Sequence, residues 1–242
     1  MAMSWAPNGN IYLSPHHDDI AFSLGARIAA EPGGRLVNLF TRSGYVAGAP
    51  LALPPDVATI ERVTTLRVAE DMAFAERFRL ERIDLGLEDA PVHGRSPWDL
   101  DGLADDIVQV RAPLAELLRE TEGARVFCPA AIGGHVNHLA VRAVVIELLP
   151  ELERRAEVLF YEDLPYASSS RARRHWLPDF RAALGVRRLR RRTSAAGPEK
   201  LAAVNLYPSQ HTSTVISLRQ FSPRTLWPIG PHEAVWRAFT TS

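Results

Sequence analysis

The chain has 242 residues, 46% of them hydrophobic, with 28 basic against 28 acidic side chains and a formal net charge of zero. That is long enough for one large domain with a buried core; it carries no basic excess for nucleic acid and no run near the roughly eighteen apolar residues of a membrane span. The single cysteine, Cys128, excludes an intramolecular disulfide and, within an apolar run, reads as an inert buried thiol rather than a nucleophile.

Met1 to Asn10 has neither a basic start nor an apolar h-region, so a cytoplasmic location is expected. Ile11 to Leu13 is predicted as a strand that runs into Ser14-Pro15-His16-His17-Asp18-Asp19, and Ala21 to Ala30 as a helix ended by Pro32-Gly33-Gly34. Arg35 to Phe40 is a second strand, followed by a Pro- and Gly-bearing loop that reaches Pro55. Ile60, Val63, Leu66, Ala69, Met72 and Ala73 then recur at helical spacing over about Ala58 to Phe78. Ile83 to Leu87 reads as a strand, Asp89 to Pro97 as a loop, and Leu103 to Leu118 as a helix that Pro113 would kink or divide. Val126 to Cys128 is a strand, His138 to Leu149 an apolar helix limited by Pro150, and Val158 to Tyr161 a strand. Strands alternating with helices predict an α/β fold, a Rossmann-like three-layer sandwich with a mostly parallel sheet. Residues 1–242 are expected to form a single domain, with room for a C-terminal subregion from about residue 166. Arg171 to Arg192 holds nine arginines against one acidic residue, Asp179, and reads foremost as a solvated strand and helix face.

Two strand ends carry chemistry. His16, His17, Asp18 and Asp19 follow the first strand, and Gly133-Gly134-His135-Val136-Asn137-His138 follows the run that ends at Pro129. In one parallel sheet both clusters emerge on the carboxyl edge, where α/β folds bind ligands. His16, Asp19 and His138 then form a set of two imidazoles and a carboxylate that suits a catalytic divalent ion. Zinc fits best, and Fe2+ or another divalent metal also suits such a set. Asp18 is placed as the general base for an attacking water, and His135 as the donor to the oxyanion that results. Helix capping by Asp18 or Asp19 is the plain structural alternative, but it leaves four histidines at two strand ends without a reason. His93, His175, His211 and His232 stand singly and are given no role.

At these residues the chain resembles the PIG-L, or LmbE-like, family of metal-dependent N-acetylglucosaminyl deacetylases. The family signature is Pro-His-Pro-Asp-Asp-Glu after the first strand and His-Pro-Asp-His later; here they read Pro15-His16-His17-Asp18-Asp19-Ile20 and His135-Val136-Asn137-His138. Arg67-Val68-Ala69-Glu70, Leu85 to Asp89 and Lys200 to Gln210 are similar to further family segments. The resemblance implies a Rossmann-like fold, zinc held by His16, Asp19 and His138, Asp18 as base and His135 on the oxyanion. It also implies that Arg67 and Asp89 bind sugar hydroxyls. Three departures follow: His17 replaces a proline and either reaches the substrate or packs the turn, Ile20 replaces a glutamate, and Asn137 replaces the aspartate that orients His135. With Asn137 accepting its hydrogen bond but bringing no charge, His135 is expected to be less readily protonated.

The expected function is hydrolytic removal of acetyl from an N-acetylated amino sugar or related small amide. The alternative is a catalytically inactive sugar or nucleotide-sugar binding module on the same fold. The expected partner is a small-molecule N-acetylated sugar or glycoside, with no nucleic acid and no membrane span, and a homo-oligomer is compatible with this reading.

Overall fold

The computed structural model describes residues 9–185, 188–212 and 216–239. The N-terminal reading of Met1 to Asn10 lies, apart from its last two residues, outside the described residues, as do residues 186–187 of the arginine-rich stretch.

Five strands form the parallel heart of the sheet: β1 (Asn10–Ser14), β2 (Arg35–Arg42), β3 (Glu81–Glu88), β4 (Arg125–Pro129) and β5 (Glu157–Tyr161), all largely buried except the edge strand β3. Strands covered on both faces need continuous apolar runs rather than alternation, and β1 and β4 meet that need with Tyr12 and Phe127 stacked at 4.9 Å in the core. The strand order is β3-β2-β1-β4-β5-β7-β6, in which β7 (His232–Phe239) runs antiparallel to β5 and to β6 (Arg188–Ala195). The α/β fold and its mostly parallel sheet therefore stand as expected.

The helices connecting the parallel strands are α1 (Asp19–Ala30), α2 (Val57–Phe78), α3 (Leu103–Leu117) and α4 (Val136–Leu152). The chain steps from β1 outward through β2 to β3 and then returns to β4, so right-handed crossovers place α1 and α2 on one face and α3 and α4 on the other. The reversal makes the gap between β1 and β4 the switch point, where both carboxyl ends face an open crevice. Pro113 does not divide α3, and α4 runs two residues past Pro150.

The later chain adds α5 (Ser170–Ala183), α6 (Pro198–Val204) and the β6–β7 hairpin edge. It is stitched to the first half by buried polar groups. Leu24 leaves helical geometry (φ −130°, ψ 15°), and the freed N–H groups of Ala26 and Arg27 donate to the Glu233 carboxylate at 2.7 and 3.0 Å. Lys200, fully buried, donates to the same carboxylate at 2.6 Å. Tyr207 donates to Asp71 and Ser209 to Glu70, fixing the late segment on α2. No helix among the described residues is long and apolar enough to cross a membrane.

Candidate metal centre

β1 ends at Ser14, and the chain turns through Pro15 to Asp18 before α1 begins. Asp18 occupies the N-cap position yet makes no cap hydrogen bond. Its Oδ1 instead accepts from Arg67 Nη2 at 2.6 Å. Asp19 Oδ2 turns back to accept from the His16 amide at 2.7 Å. Helix capping thus accounts for neither carboxylate.

The second cluster leaves β4 through Gly133 and Gly134, whose φ values of 124° and 74° suit glycine. At Gly134 a Cβ would strike the Trp176 ring at 1.9 Å, so only glycine lets the loop pass. His135 then caps α4 by accepting from the Asn137 amide through Nδ1 at 3.3 Å. One turn into the cluster, His138 points back at β1.

The ring nitrogens are sorted by their partners. Asn137 Nδ2 donates to Asp106 Oδ2 at 3.0 Å, which fixes Oδ1 as the end facing His16 Nε2 at 3.2 Å. An amide oxygen only accepts, so His16 carries its proton on Nε2 and keeps Nδ1 free. Asp163, just beyond β5, accepts from His138 Nδ1 at 2.8 Å, which leaves His138 Nε2 free, buried and without a hydrogen bond. Asp19 Oδ2 lies 3.3 Å from His16 Nδ1 and 3.3 Å from His138 Nε2. Donors bound to one tetrahedral zinc at about 2.0–2.1 Å stand about 3.3 Å apart, so Asp19 has ligand spacing to each histidine, and the two imidazoles bring nitrogens within 4.8 Å of each other. His135 also brings a nitrogen within 4.8 Å of the other two histidines. With Nδ1 committed to the Asn137 amide, Nε2 is the nitrogen His135 has left for another partner.

The electrostatics favour a cation among these donors. Burial opposes charge on His138, but Asp19 first and then Asp163 push it up to about 10. Burial likewise opposes the Asp19 carboxylate, and His138 followed by His16 holds it well below the usual range. His135 goes the other way: burial, then the neighbouring His16 and His138, depress it well below an ordinary imidazole. A neutral ring that accepts at Nδ1 carries its proton on Nε2, and so can donate a hydrogen bond.

These groups floor a cavity of about 240 Å³, lined by His16, Asp18, Asp19, Arg67, Asp89 and His135 and walled by Phe22, Tyr45, Leu51, Trp98 and Tyr166. The two sequence clusters therefore meet at the switch point. Arg67 reaches the cavity with both terminal nitrogens engaged, on Asp18 and on Ser43 Oγ. Asp89 is buried in the wall, accepts from the Val92 amide at 3.3 Å and is pushed up by burial.

Two expectations need correction. His17 does not line the cavity: it is 1% exposed and turned toward β3, with Nε2 3.7 Å from Asp84 Oδ2. Three residues after the strand end, its side chain falls beside Asp71 of α2 and Asp84, so it packs rather than reaching a substrate. Asn137 does not receive a side-chain hydrogen bond from His135; its side chain faces His16 and Asp106, and only its amide touches His135. The sequence reading also passed over Asp163 and Asp106. Asp163 carried the readable signal, an acid directly after a strand beside the switch point.

The chain is similar to known proteins over this region. The model of the PIG-L family, described as GlcNAc-PI de-N-acetylase, matches residues 11–149. A 2'-N-acetylparomamine deacetylase from Streptomyces fradiae is 34% identical over 170 residues, 65% of this chain and 57% of that protein. The chain thus spans little more than half the length of that relative. Among solved structures, a deacetylase of the teicoplanin biosynthesis pathway has a TM-score of 0.67 at 23% identity, covering 96% of this chain and 98% of the other. The A40926 pseudoaglycone deacetylase has the same TM-score at 22% identity and the same coverage, and both show a shared fold. With both histidine clusters, the switch point between them and more than half the chain inside the matched region, this protein belongs to the PIG-L family.

Proposed function

We propose that the protein is a metal-dependent N-deacetylase that hydrolyses the acetamide of an N-acetylated amino sugar or glycoside. The observation that carries this reading is Asp18: a carboxylate beside the three spaced donors, ion-paired on one oxygen and making no hydrogen bond on the other among the described residues. A binding module has no use for such a group. His16 Nδ1, Asp19 Oδ2 and His138 Nε2 would hold the ion, with zinc preferred and Fe2+ the nearest alternative. The chemistry it supplies is polarisation of the amide carbonyl and acidification of water toward neutrality.

The chain's own residues perform the remaining steps. Arg67 holds and orients Asp18 through one oxygen, so that its other oxygen takes the proton of the attacking water. The neutral His135 donates from Nε2 to the oxygen that gains charge as the carbonyl becomes tetrahedral. Asp18 then returns the proton to the nitrogen as the C–N bond breaks, releasing acetate and a free amine. Asp89 in the cavity wall is offered as an acceptor for a sugar hydroxyl. Arg67, which resemblance would also assign to sugar, is better spent as the positioning group for Asp18. The similarity to an N-acetylparomamine deacetylase supports an amino-sugar acceptor. A cytoplasmic setting is part of the same proposal.

The test is acetate release from a panel of N-acetylated amino sugars and glycosides by protein of known metal content, with Asp18→Asn beside it. Release that needs metal and falls about a thousandfold or more in Asp18→Asn, with substrate affinity nearly unchanged, is expected. Unchanged affinity for sugars with no release by the metal-loaded wild type would favour the binding module.

A further inference from the structure

The segment 216–231 contains two arginines and no acidic residue, and it ends in Leu226-Trp227-Pro228-Ile229. Leu226, Trp227 and Ile229 are 99%, 75% and 86% exposed. Three large apolar side chains within four residues, each so fully in water, form an apolar tip, which soluble surfaces rarely leave without an occupant. Arg219 and Arg224, both exposed, flank the same hollow as the tip and make no ion pair among the described residues.

Topology places this tip at the edge of the sheet that carries the metal centre. β7 is antiparallel to β5, so the loop entering β7 at His232 lies beside the carboxyl ends of β1, β4 and β5. The root of the loop confirms the placement: Phe221 packs edge-on against Phe22 of the cavity wall at 4.9 Å between centroids, and the Arg224 amide donates to the Ala167 carbonyl beside Tyr166. Trp98, 57% exposed at the cavity mouth, shares a shallow groove with Arg171 and Arg174 of α5. The edge around the site therefore combines exposed indoles and aliphatics with uncompensated arginines.

We propose that this edge docks on an anionic lipid surface, with Leu226, Trp227 and Ile229 inserted at the headgroup boundary and Arg219 and Arg224 on the lipid phosphates. Side chains exposed to this degree are covered only by a partner that surrounds them on most sides, and a bilayer interface does so. Tryptophan suits that boundary because its ring is apolar and its N–H finds a polar partner there. The flanking arginines find anionic headgroups at the same depth, which a second copy of this neutral chain does not provide in excess. No spanning segment is needed for such binding. The proposal is independent of the deacetylase reading and does not use the metal.

The test is co-sedimentation of the full chain with vesicles of phosphatidylcholine alone and with about one third phosphatidylserine. Binding to the anionic vesicles that weakens as salt rises is expected, together with quenching of tryptophan fluorescence by brominated lipid. The combined variant Leu226→Ser, Trp227→Ser, Ile229→Ser should lose at least about tenfold in partitioning while keeping its thermal midpoint, since these side chains support no packing. No partitioning on either vesicle, or partitioning that the variant retains, would overturn the proposal. Self-association in ultracentrifugation that the variant abolishes, without vesicle binding, would assign the tip to a second copy and overturn it equally.

Discussion

His138 works as a ligand only if its proton is held away from the metal, and Asp163 holds it, 2.8 Å from Nδ1 and anchored in turn by the Ile132 amide. Removing that charge while keeping the shape is expected to cost about ten- to a hundredfold in metal affinity. Chelator competition on Asp163→Asn measures it, and an unchanged affinity would show that His138 is oriented by packing alone. Asp163 also marks where the sequence stops being legible at this scale. His16, Asp18, Asp19, His135 and His138 stand out because their residue types are rare in such company. An acid after a strand is ordinary until the fold brings it to a histidine 25 positions away. Asn137 shows the same limit from the other side. Its departure from the family aspartate reads in sequence as a lost charge on His135, whereas in space it donates to Asp106, which Arg95 neutralises at 2.6 Å. An aspartate at 137 would set two carboxylates against each other, so asparagine is the residue that fits this neighbourhood.

Among the elements, β1, β2, β4 and β5 are readable because strands buried on both faces are apolar runs bounded by turns, and the edge strand β3 because Ile83, Leu85 and Leu87 alternate with polar residues or glycine. β6 and β7 are not. β6, Arg-Leu-Arg-Arg-Arg-Thr-Ser-Ala, is an edge strand whose alternation is hidden by arginines, several of which serve packing rather than solvation. Arg191 of β6 and Arg173 of α5 both ion-pair with Glu162, fully buried at the end of β5, and Trp236 of β7 donates to it at 2.9 Å. One carboxylate thus joins four elements. Burial alone would raise it, but Arg191 and Arg173 outweigh that and hold Glu162 below its ordinary 4.5. A depressed folded value means that this stabilisation is complete above about pH 4.5 and fades as pH falls through the lower folded value. Glu162→Gln should therefore lose about 3 kcal/mol at pH 7, since the buried Arg173 and the partly buried Arg191 lose their partner. It should also show a flatter loss of stability below pH 4.5 than the wild type. Urea unfolding across that range checks both. Parallel acid limbs for the two proteins would mean that Glu162 is not the group that titrates.

For the molecule as a whole, the question is whether the chain beyond residue 165 is an appendage or part of one folding unit. The sequence left room for a subregion there because helix–strand alternation ends at that point. The contacts argue for one unit. Without the later chain, β5 becomes an edge whose Phe160 loses Phe180 and its strand partner Trp236 and whose Tyr161 loses its strand partner Val235, and an open edge of that kind invites aggregation. α1 loses the carboxylate that satisfies Ala26 and Arg27 at its break, and each buried amide left unpaired costs roughly 1–3 kcal/mol. α2 loses Tyr207 on Asp71 and Ser209 on Glu70, stranding buried acids, and Phe22 in the cavity wall loses both its aromatic neighbours, Tyr207 and Phe221. These losses together exceed the roughly 5–15 kcal/mol that separates a folded domain from its unfolded chain. A chain of residues 1–165 is therefore expected to show no cooperative thermal transition and to bind no metal at the affinity of the full protein, although it keeps all three proposed ligands. A sigmoidal melt with metal-dependent stabilisation in that fragment would show instead that the parallel half folds alone and that β6, β7 and the apolar tip were added to a self-sufficient metal centre.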